Sequence, residues 1–275
     1  MRVAIVAMRV TAMLLLALFL AGCAGNAARI EKLAGTLGLT RSVVIAGGFR
    51  SPIFMRGAAA PENATVAIFI EGDGAPWEGG RTPSLDPATK DPIALKLLAQ
   101  TPGSSAYVTR PCYHDMTGAR CTPERWTMER YSDEVVSSMT EAVRAAALQA
   151  KASDLVLVGY SGGGVLAVLI AERLDNVTAV ITIGANLDTD TWTKHHDYLA
   201  LYGSLNPASS RTEHPWPETH LYGARDQTVP AATAEAYFKR YPRAQRRIVE
   251  SNDHVCCWVE QWPRLWQEIT AAASR

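Results

Sequence analysis

Asp154-Leu155-Val156-Leu157-Val158-Gly159-Tyr160-Ser161-Gly162-Gly163-Gly164 carries an apolar run into a serine set among glycines, and a second apolar stretch, Val165 to Leu174, comes directly after. The first run has the length of a buried strand and the second suits a helix. A serine at the sharp turn between them stands clear of the backbone, ready to attack a carbonyl. The glycines have a steric reason to be there. Strand and helix cross closely, and side chains at Gly159 and Gly163 would collide at the crossing. The Gly162 N–H is then free to face negative charge developing on a substrate oxygen. Gly-x-Ser-x-Gly by itself occurs in many unrelated chains, so its meaning depends on finding an acid and a histidine further along.

Both are present, in that order. His220-Leu221-Tyr222-Gly223-Ala224-Arg225-Asp226 reads as a short strand ending in a loop aspartate, with Val229-Pro230 leading into a helix. Arg247-Ile248-Val249-Glu250 reads as a further strand, running into Ser251-Asn252-Asp253-His254. His254 is the only histidine after Asp226. A serine hydroxyl is a weak nucleophile at neutral pH and needs an imidazole to take its proton. A carboxylate on the second ring nitrogen fixes the tautomer and stabilises the imidazolium. Asp226 is the expected acid by strand order. Asp188 and Asp190, after Ala179-Val180-Ile181-Thr182-Ile183, are the rivals, and Asp226 serving only as a helix cap is the plain alternative.

The second oxyanion donor is expected from the loop after an earlier strand. Val66-Ala67-Ile68-Phe69-Ile70 is that strand and Glu71-Gly72-Asp73-Gly74-Ala75-Pro76-Trp77 the loop. The Asp73 backbone N–H is the expected donor beside that of Gly162. The Asp73 carboxylate holding the loop is the other reading of this residue. The order Ser161…Asp226…His254, with each residue at the carboxyl end of a strand, resembles that of the α/β-hydrolases. The resemblance runs from about Val43 to the C-terminus. More narrowly, the chain is similar to a bacterial family of lipoprotein or secreted hydrolases of poorly defined substrate. It does so through Ile70 to Trp77, Gly159 to Gly164, Gly203-Ser204-Leu205-Asn206-Pro207 and Asp253-His254-Val255-Cys256-Cys257-Trp258. The resemblance implies the fold and a serine-hydrolase mechanism, but no substrate. Many esterases carry His-Gly at the oxyanion loop where this chain has Glu71-Gly72. A carboxylate there must point away or be paired, for example with an arginine.

Arg2 and Arg9 precede an apolar run centred on Leu14 to Leu20, which ends in Leu20-Ala21-Gly22-Cys23. This pattern reads as a secretory signal over 1–22, and its end resembles a bacterial lipobox. That implies lipidation of Cys23 and a place at the membrane of the bacterial cell envelope, held by lipid rather than by protein surface. A plain secretory signal or an uncleaved membrane helix is the alternative. Residues 23–40 are expected to form a lipidated tether passing into a short helix, with Ile30, Leu33 and Leu37 on one face, and 41–275 one hydrolase domain. Four further cysteines remain for an oxidising compartment. Cys112 and Cys121 flank a polar segment, and a disulfide closing that loop is the simplest pairing. Cys256 and Cys257 are left as a vicinal disulfide, free thiols or small buried residues.

The chain has 275 residues, is 48% hydrophobic and carries a formal net charge of +0. That suits one large core and offers no basic excess to draw nucleic acid. Strands alternating with helices predict an α/β architecture, a mostly parallel central sheet flanked by helices. Leu187 to Pro217 is expected as a cap insertion over the site, and Arg110 to Arg130 as a second covering segment. Substrate contacts are expected from Gly72, Trp77, Tyr160 and Trp192, although most cap aromatics are expected to pack the cap on the core. Pro263 is expected to start the last helix and to interrupt the helical spacing of Trp258, Trp262 and Trp266. His114 near Cys112 and Cys121 matches no zinc spacing, so no metal and no organic cofactor are expected. The expected function is a lipid-anchored serine hydrolase of a small-molecule carboxylic ester, acting through an acyl-enzyme. A peptidase or thioesterase with the same residues, and a non-catalytic binding lipoprotein on this scaffold, are the alternatives.

Overall fold

The computed structural model describes residues 25–57 and 64–273. The signal segment and Cys23 lie outside the described residues.

Eight strands form one sheet: β1 (Thr40–Ala46), β2 (Phe49–Arg56), β3 (Ala64–Ile70), β6 (Ser105–Val108), β7 (Ala152–Tyr160), β8 (Val177–Ile183), β9 (Glu218–Gly223) and β10 (Gln245–Val249). Their spatial order is β1-β2-β6-β3-β7-β8-β9-β10. Only β2 runs against its neighbours; β6, β3, β7, β8, β9 and β10 are parallel. The pair β4 (Trp77–Glu78) and β5 (Thr82–Pro83) forms a small separate ribbon. A hairpin turning at Gly47-Gly48 joins β1 to β2.

Both faces of the sheet are covered, so its central strands are apolar without alternation. Successive residues of β3 show why. Val66, Ile68 and Ile70 enter one core, while Ala67 and Phe69 enter the other. The first core is completed by α3 (Asp133–Ala150) and α4 (Gly162–Ala171), and by Tyr237 of α6 (Glu235–Arg240). The second is completed by α1 (Asn26–Thr36), α2 (Ile93–Gln100) and α7 (Trp258–Ala273). The remaining helix, α5 (Thr189–His195), lies between β8 and β9. Every residue of α4 is buried, as befits a helix at the centre of the domain. The start of α3 has a local cause: the Ser132 side chain accepts from the Val135 N–H, and Asp133 and Glu134 sit at the positive end of the helix dipole.

The short helix expected within 23–40 is present as α1, with Ile30, Leu33 and Leu37 packed on the second core; the Asn26 N–H at its start donates to Asp86 (2.6 Å). One expectation is corrected here. The last helix starts at Trp258, five residues before Pro263, and is not interrupted. A proline inside a helix cannot bond the carbonyl four residues back. That carbonyl, of Val259, instead accepts from the Gln100 side-chain amide of α2 at 3.0 Å. Trp258 and Trp262 therefore stay on one buried face, with Trp266 packed beside them.

Away from the Ser161 end of the sheet, His214 lies between two carboxylates, with Glu172 at 2.9 Å and Glu218 at 2.6 Å. Burial alone would lower its pKa; hydrogen bonds and charge from Glu172 and Glu218 outweigh burial and push it up to about 9. A raised value in the folded state favours folding while the ring is protonated. This contribution is fully present below the unfolded value near pH 6.5 and is lost as pH rises through about 9. Urea unfolding at pH 6.5 and pH 9.5 is expected to show the loss, and His214→Gln to flatten that part of the profile.

Candidate active site

The centre of the sheet turns sharply at the end of β7. Ser161 sits at this turn with φ of 50°, a conformation unusual for a residue with a side chain. Two hydrogen bonds hold it there: the Ser161 N–H donates to the Ile183 carbonyl (2.7 Å), and the Gly164 N–H donates to the Ser161 carbonyl (2.8 Å). The expected steric reason for the glycines is present. A Cβ at Gly159 would lie 2.2 Å from the Gly163 carbonyl oxygen, and one at Gly163 would lie 2.2 Å from that of Ile70.

Ser161, His254 and Asp226 meet at this end of the sheet. His254 Nε2 lies 3.1 Å from Ser161 Oγ, and His254 Nδ1 lies 2.8 Å from Asp226 Oδ2. Asp226 is buried, and its other oxygen accepts from the N–H groups of Thr228 (2.8 Å) and Val229 (2.7 Å). Asp226 does not cap the following helical turn, Ala231–Ala234, whose N-cap is Pro230 with no side-chain cap bond: one oxygen shapes the loop and the other faces the imidazole. Asp188 is committed elsewhere, capping α5 through the Thr191 N–H and side chain. Asp190 accepts from the Asn206 amide. Asp253 closes its own turn by accepting from the N–H groups of Val255 and Cys256. The backbone of the histidine loop is fastened from two sides, because the Tyr160 hydroxyl and the Trp258 indole N–H each donate to the His254 carbonyl at 3.0 Å.

Gly162 opens α4, where a first-turn N–H has no intrahelical acceptor. Gly72 lies so near the serine that a Cβ there would be 3.1 Å from Ser161 Cβ. Its N–H is taken by the Glu71 carboxyl (3.1 Å), which makes Asp73 the next backbone donor along the loop. Both readings of Asp73 meet here, since its carboxylate is fully engaged. Arg110 Nη1 donates at 2.6 Å, Arg130 Nη1 at 2.8 Å, and the Tyr131 hydroxyl lies 2.8 and 2.7 Å from its two oxygens. Burial would raise this carboxyl, but the charges of Arg130 and Arg110 prevail and hold it at about 2. These partners were not found from sequence, because Asp73 and Arg130 are separated by 57 residues and no motif links them.

Of the two readings of Glu71, pointing away or being paired with a cation, the structure shows the first. Glu71 turns into the interior, accepting from the Gly72 N–H and from the Ala94 N–H at the start of α2 (3.1 Å each), with the Tyr107 hydroxyl at 3.5 Å. Burial dominates and pushes its pKa up to about 7, although the backbone donors oppose it. The carboxyl is thus directed onto backbone donors and its neutral form is favoured, without a counter-ion.

A pocket of about 550 Å³ opens over Ser161 and His254. Gly72, Trp77, Tyr160 and Trp192 all contribute to its wall. Trp192 is also a packing residue: it is buried, and its indole N–H donates to the Thr228 carbonyl at 2.8 Å. The segment between β8 and β9 supplies exposed Tyr198 and Leu199 to the rim, while Trp216 is buried against Glu218 and lies outside the wall. The Arg110–Arg130 segment supplies Met128 and Arg130. Its cysteines, Cys112 and Cys121, have their sulfurs 2.07 Å apart, a disulfide distance. Cys256 and Cys257 are also joined, beside the histidine loop. Among the described residues no group of three or more His, Cys, Asp or Glu side chains is disposed to hold a metal, and no helix is long and apolar enough to cross a membrane.

No family model and no curated protein sequence matches the chain. Solved structures do. A membrane phospholipase A described as a bacterial virulence factor superposes with a TM-score of 0.61 at 16% identity, covering 99% of this chain and 97% of that one. The Pyrococcus furiosus esterase Pf2001 gives 0.60 at 13%, covering 86% and 91%. Puromycin hydrolase gives 0.59 at 15%, covering 86% of this chain and 39% of its own. At such identities the likeness is one of fold, and the fold is that of the α/β-hydrolases.

The raised Glu71 value has a measurable consequence. A carboxyl that is harder to ionise when folded supports the fold while protonated. That support is fully present below the unfolded value of 4.5 and is lost as pH rises through about 7. Glu71→Gln cannot ionise and keeps an acceptor for one of the two backbone donors. It is expected to remove this fall between pH 4.5 and 7.5 in denaturant midpoints.

Proposed function

We propose that this α/β-hydrolase-fold protein is a serine hydrolase of carboxylic esters. The observation that carries the reading is one imidazole lying between a hydroxyl at 3.1 Å and a buried carboxylate at 2.8 Å, on the floor of an open pocket. In the proposed reaction Ser161 Oγ attacks the ester carbonyl while His254 Nε2 takes its proton. Asp226 holds the opposite N–H and stabilises the imidazolium. The N–H groups of Gly162 and Asp73 donate to the oxyanion. His254 then protonates the departing alcohol, and an acyl-enzyme remains on Ser161. Water, deprotonated by the same imidazole, releases the acid. Gly72, Trp77, Tyr160 and Trp192 form the substrate wall in this reading. The Leu20-Ala21-Gly22-Cys23 sequence further supports attachment to the bacterial cell envelope through lipid on Cys23.

A fluorophosphonate probe is expected to label the folded protein, and Ser161→Ala to abolish both labelling and p-nitrophenyl ester hydrolysis. His254→Ala is expected to lower turnover by about 10⁴-fold; a loss below about tenfold would point to a different base. A matched p-nitroanilide run beside the ester separates esterase from amidase. In a bacterial host, Cys23→Ser is expected to move the protein from the detergent phase to the aqueous phase of a detergent partition. Unchanged partitioning would remove the lipid anchor from the proposal.

A further inference from the structure

The Asp73 carboxylate is gripped by groups from a segment far along the chain, and none of them belongs to the Ser161–His254–Asp226 relay. Arg110 and Arg130 are buried, with side chains 2% and 6% exposed. Arg110 Nη2 also donates to the Arg130 carbonyl (3.1 Å), tying the two guanidinium-bearing stretches together. The Tyr113 hydroxyl donates to the Asp73 carbonyl at 3.0 Å, so backbone and side chain of this residue are both held. The grip reaches the other proposed donor as well. A Cβ at Gly162 would lie 2.0 Å from Asp73 Oδ1 and 2.4 Å from the Tyr131 hydroxyl. The cluster therefore packs directly on the backbone of Gly162. It is braced from behind by the Gly203-to-Pro207 segment. Ser204 Oγ donates to the Met128 carbonyl (2.7 Å) and accepts from the Tyr131 N–H (3.1 Å), and the Leu205 N–H donates to the Tyr131 carbonyl (3.0 Å).

A buried ion cluster is a poor source of stability, because desolvation offsets most of the attraction. It is a good source of fixed geometry. Two guanidiniums against one carboxylate also leave one positive charge in excess, and Arg130 lies in the pocket wall. Fixed positive charge beside a developing oxyanion lowers the barrier more than it strengthens binding of a neutral ester.

We propose that Arg130, Arg110 and Tyr131, acting through Asp73, are positioning residues that hold the Gly72–Asp73 backbone in register with Gly162 and keep a net positive charge behind the oxyanion. The proposal rests on the serine-hydrolase reading.

The experiment measures kcat and KM for p-nitrophenyl acetate, with thermal unfolding of each variant and fluorophosphonate labelling of the wild type as controls. Arg130→Met is expected to lower kcat by about tenfold to a hundredfold with KM within about twofold. Arg130→Lys restores the charge without the planar fork and is expected to recover part of the loss. Tyr131→Phe removes a single hydroxyl, so the fold is retained, and kcat is expected to fall by about threefold to tenfold. Wild-type kcat in both Tyr131→Phe and Arg130→Met, with the wild type labelled, overturns the positioning role and leaves the serine hydrolase standing. So does an Arg130→Met loss that tracks a lowered unfolding temperature while Tyr131→Phe turns over as wild type. A wild type that stays unlabelled while folded overturns both readings together.

Discussion

The close crossing of β7 and α4 is the constraint on which the site depends. Backbone approaches backbone where a single Cβ at Gly159 or Gly163 would sit 2.2 Å from a carbonyl oxygen. That approach goes with a positive φ of 50° at the intervening Ser161, at a cost of about 1–3 kcal/mol for a residue with a side chain. The surrounding sheet holds it there. Ser161 hangs on the Ile183 carbonyl of the neighbouring strand, and α4 is buried throughout. Ser161 is thereby held at the start of α4, within reach of His254. His254 and Asp226 arrive from the ends of β10 and β9, strands that lie successively further along the same sheet.

Electrostatics around this point is arranged in two layers. Asp226 and His254 form a short path to the serine, one oxygen of the acid being spent on its own loop. Under the neighbouring loop, two carboxyls flanking Gly72 have opposite fates. Asp73 meets two guanidiniums and is held at about 2; Glu71 meets only neutral donors and is pushed up to about 7. The carboxyl of Asp73 faces the arginine-bearing segment, and that of Glu71 faces α2. The loop can therefore carry two acids next to the place where negative charge would develop.

Much of this was legible along the chain. The apolar run before Ser161, the glycines beside it, and the strand–loop placement of Asp226 and His254 are local patterns. Local patterns survive without knowledge of the partners they meet. The reading of Pro263 failed for the converse reason. The rule that proline begins a helix assumes that the freed carbonyl has no other donor, and here Gln100, from another helix, supplies one. For Glu71 the sequence leaves two outcomes, pointing away or pairing with a cation; burial decides, favouring the neutral form although the backbone donors oppose it.

The sequence by itself determined the order of strands and helices, the strained serine turn, and the short list from which the acid and the base could be chosen. These come from periodicity and backbone sterics, which act over a few residues. Only the tertiary structure decided that Asp226 rather than Asp188 faces His254, that the first helix docks, and that Arg110, Arg130 and Tyr131 close on Asp73. Those choices turn on distance and desolvation between groups separated by tens of residues, and neither quantity exists until the chain has folded.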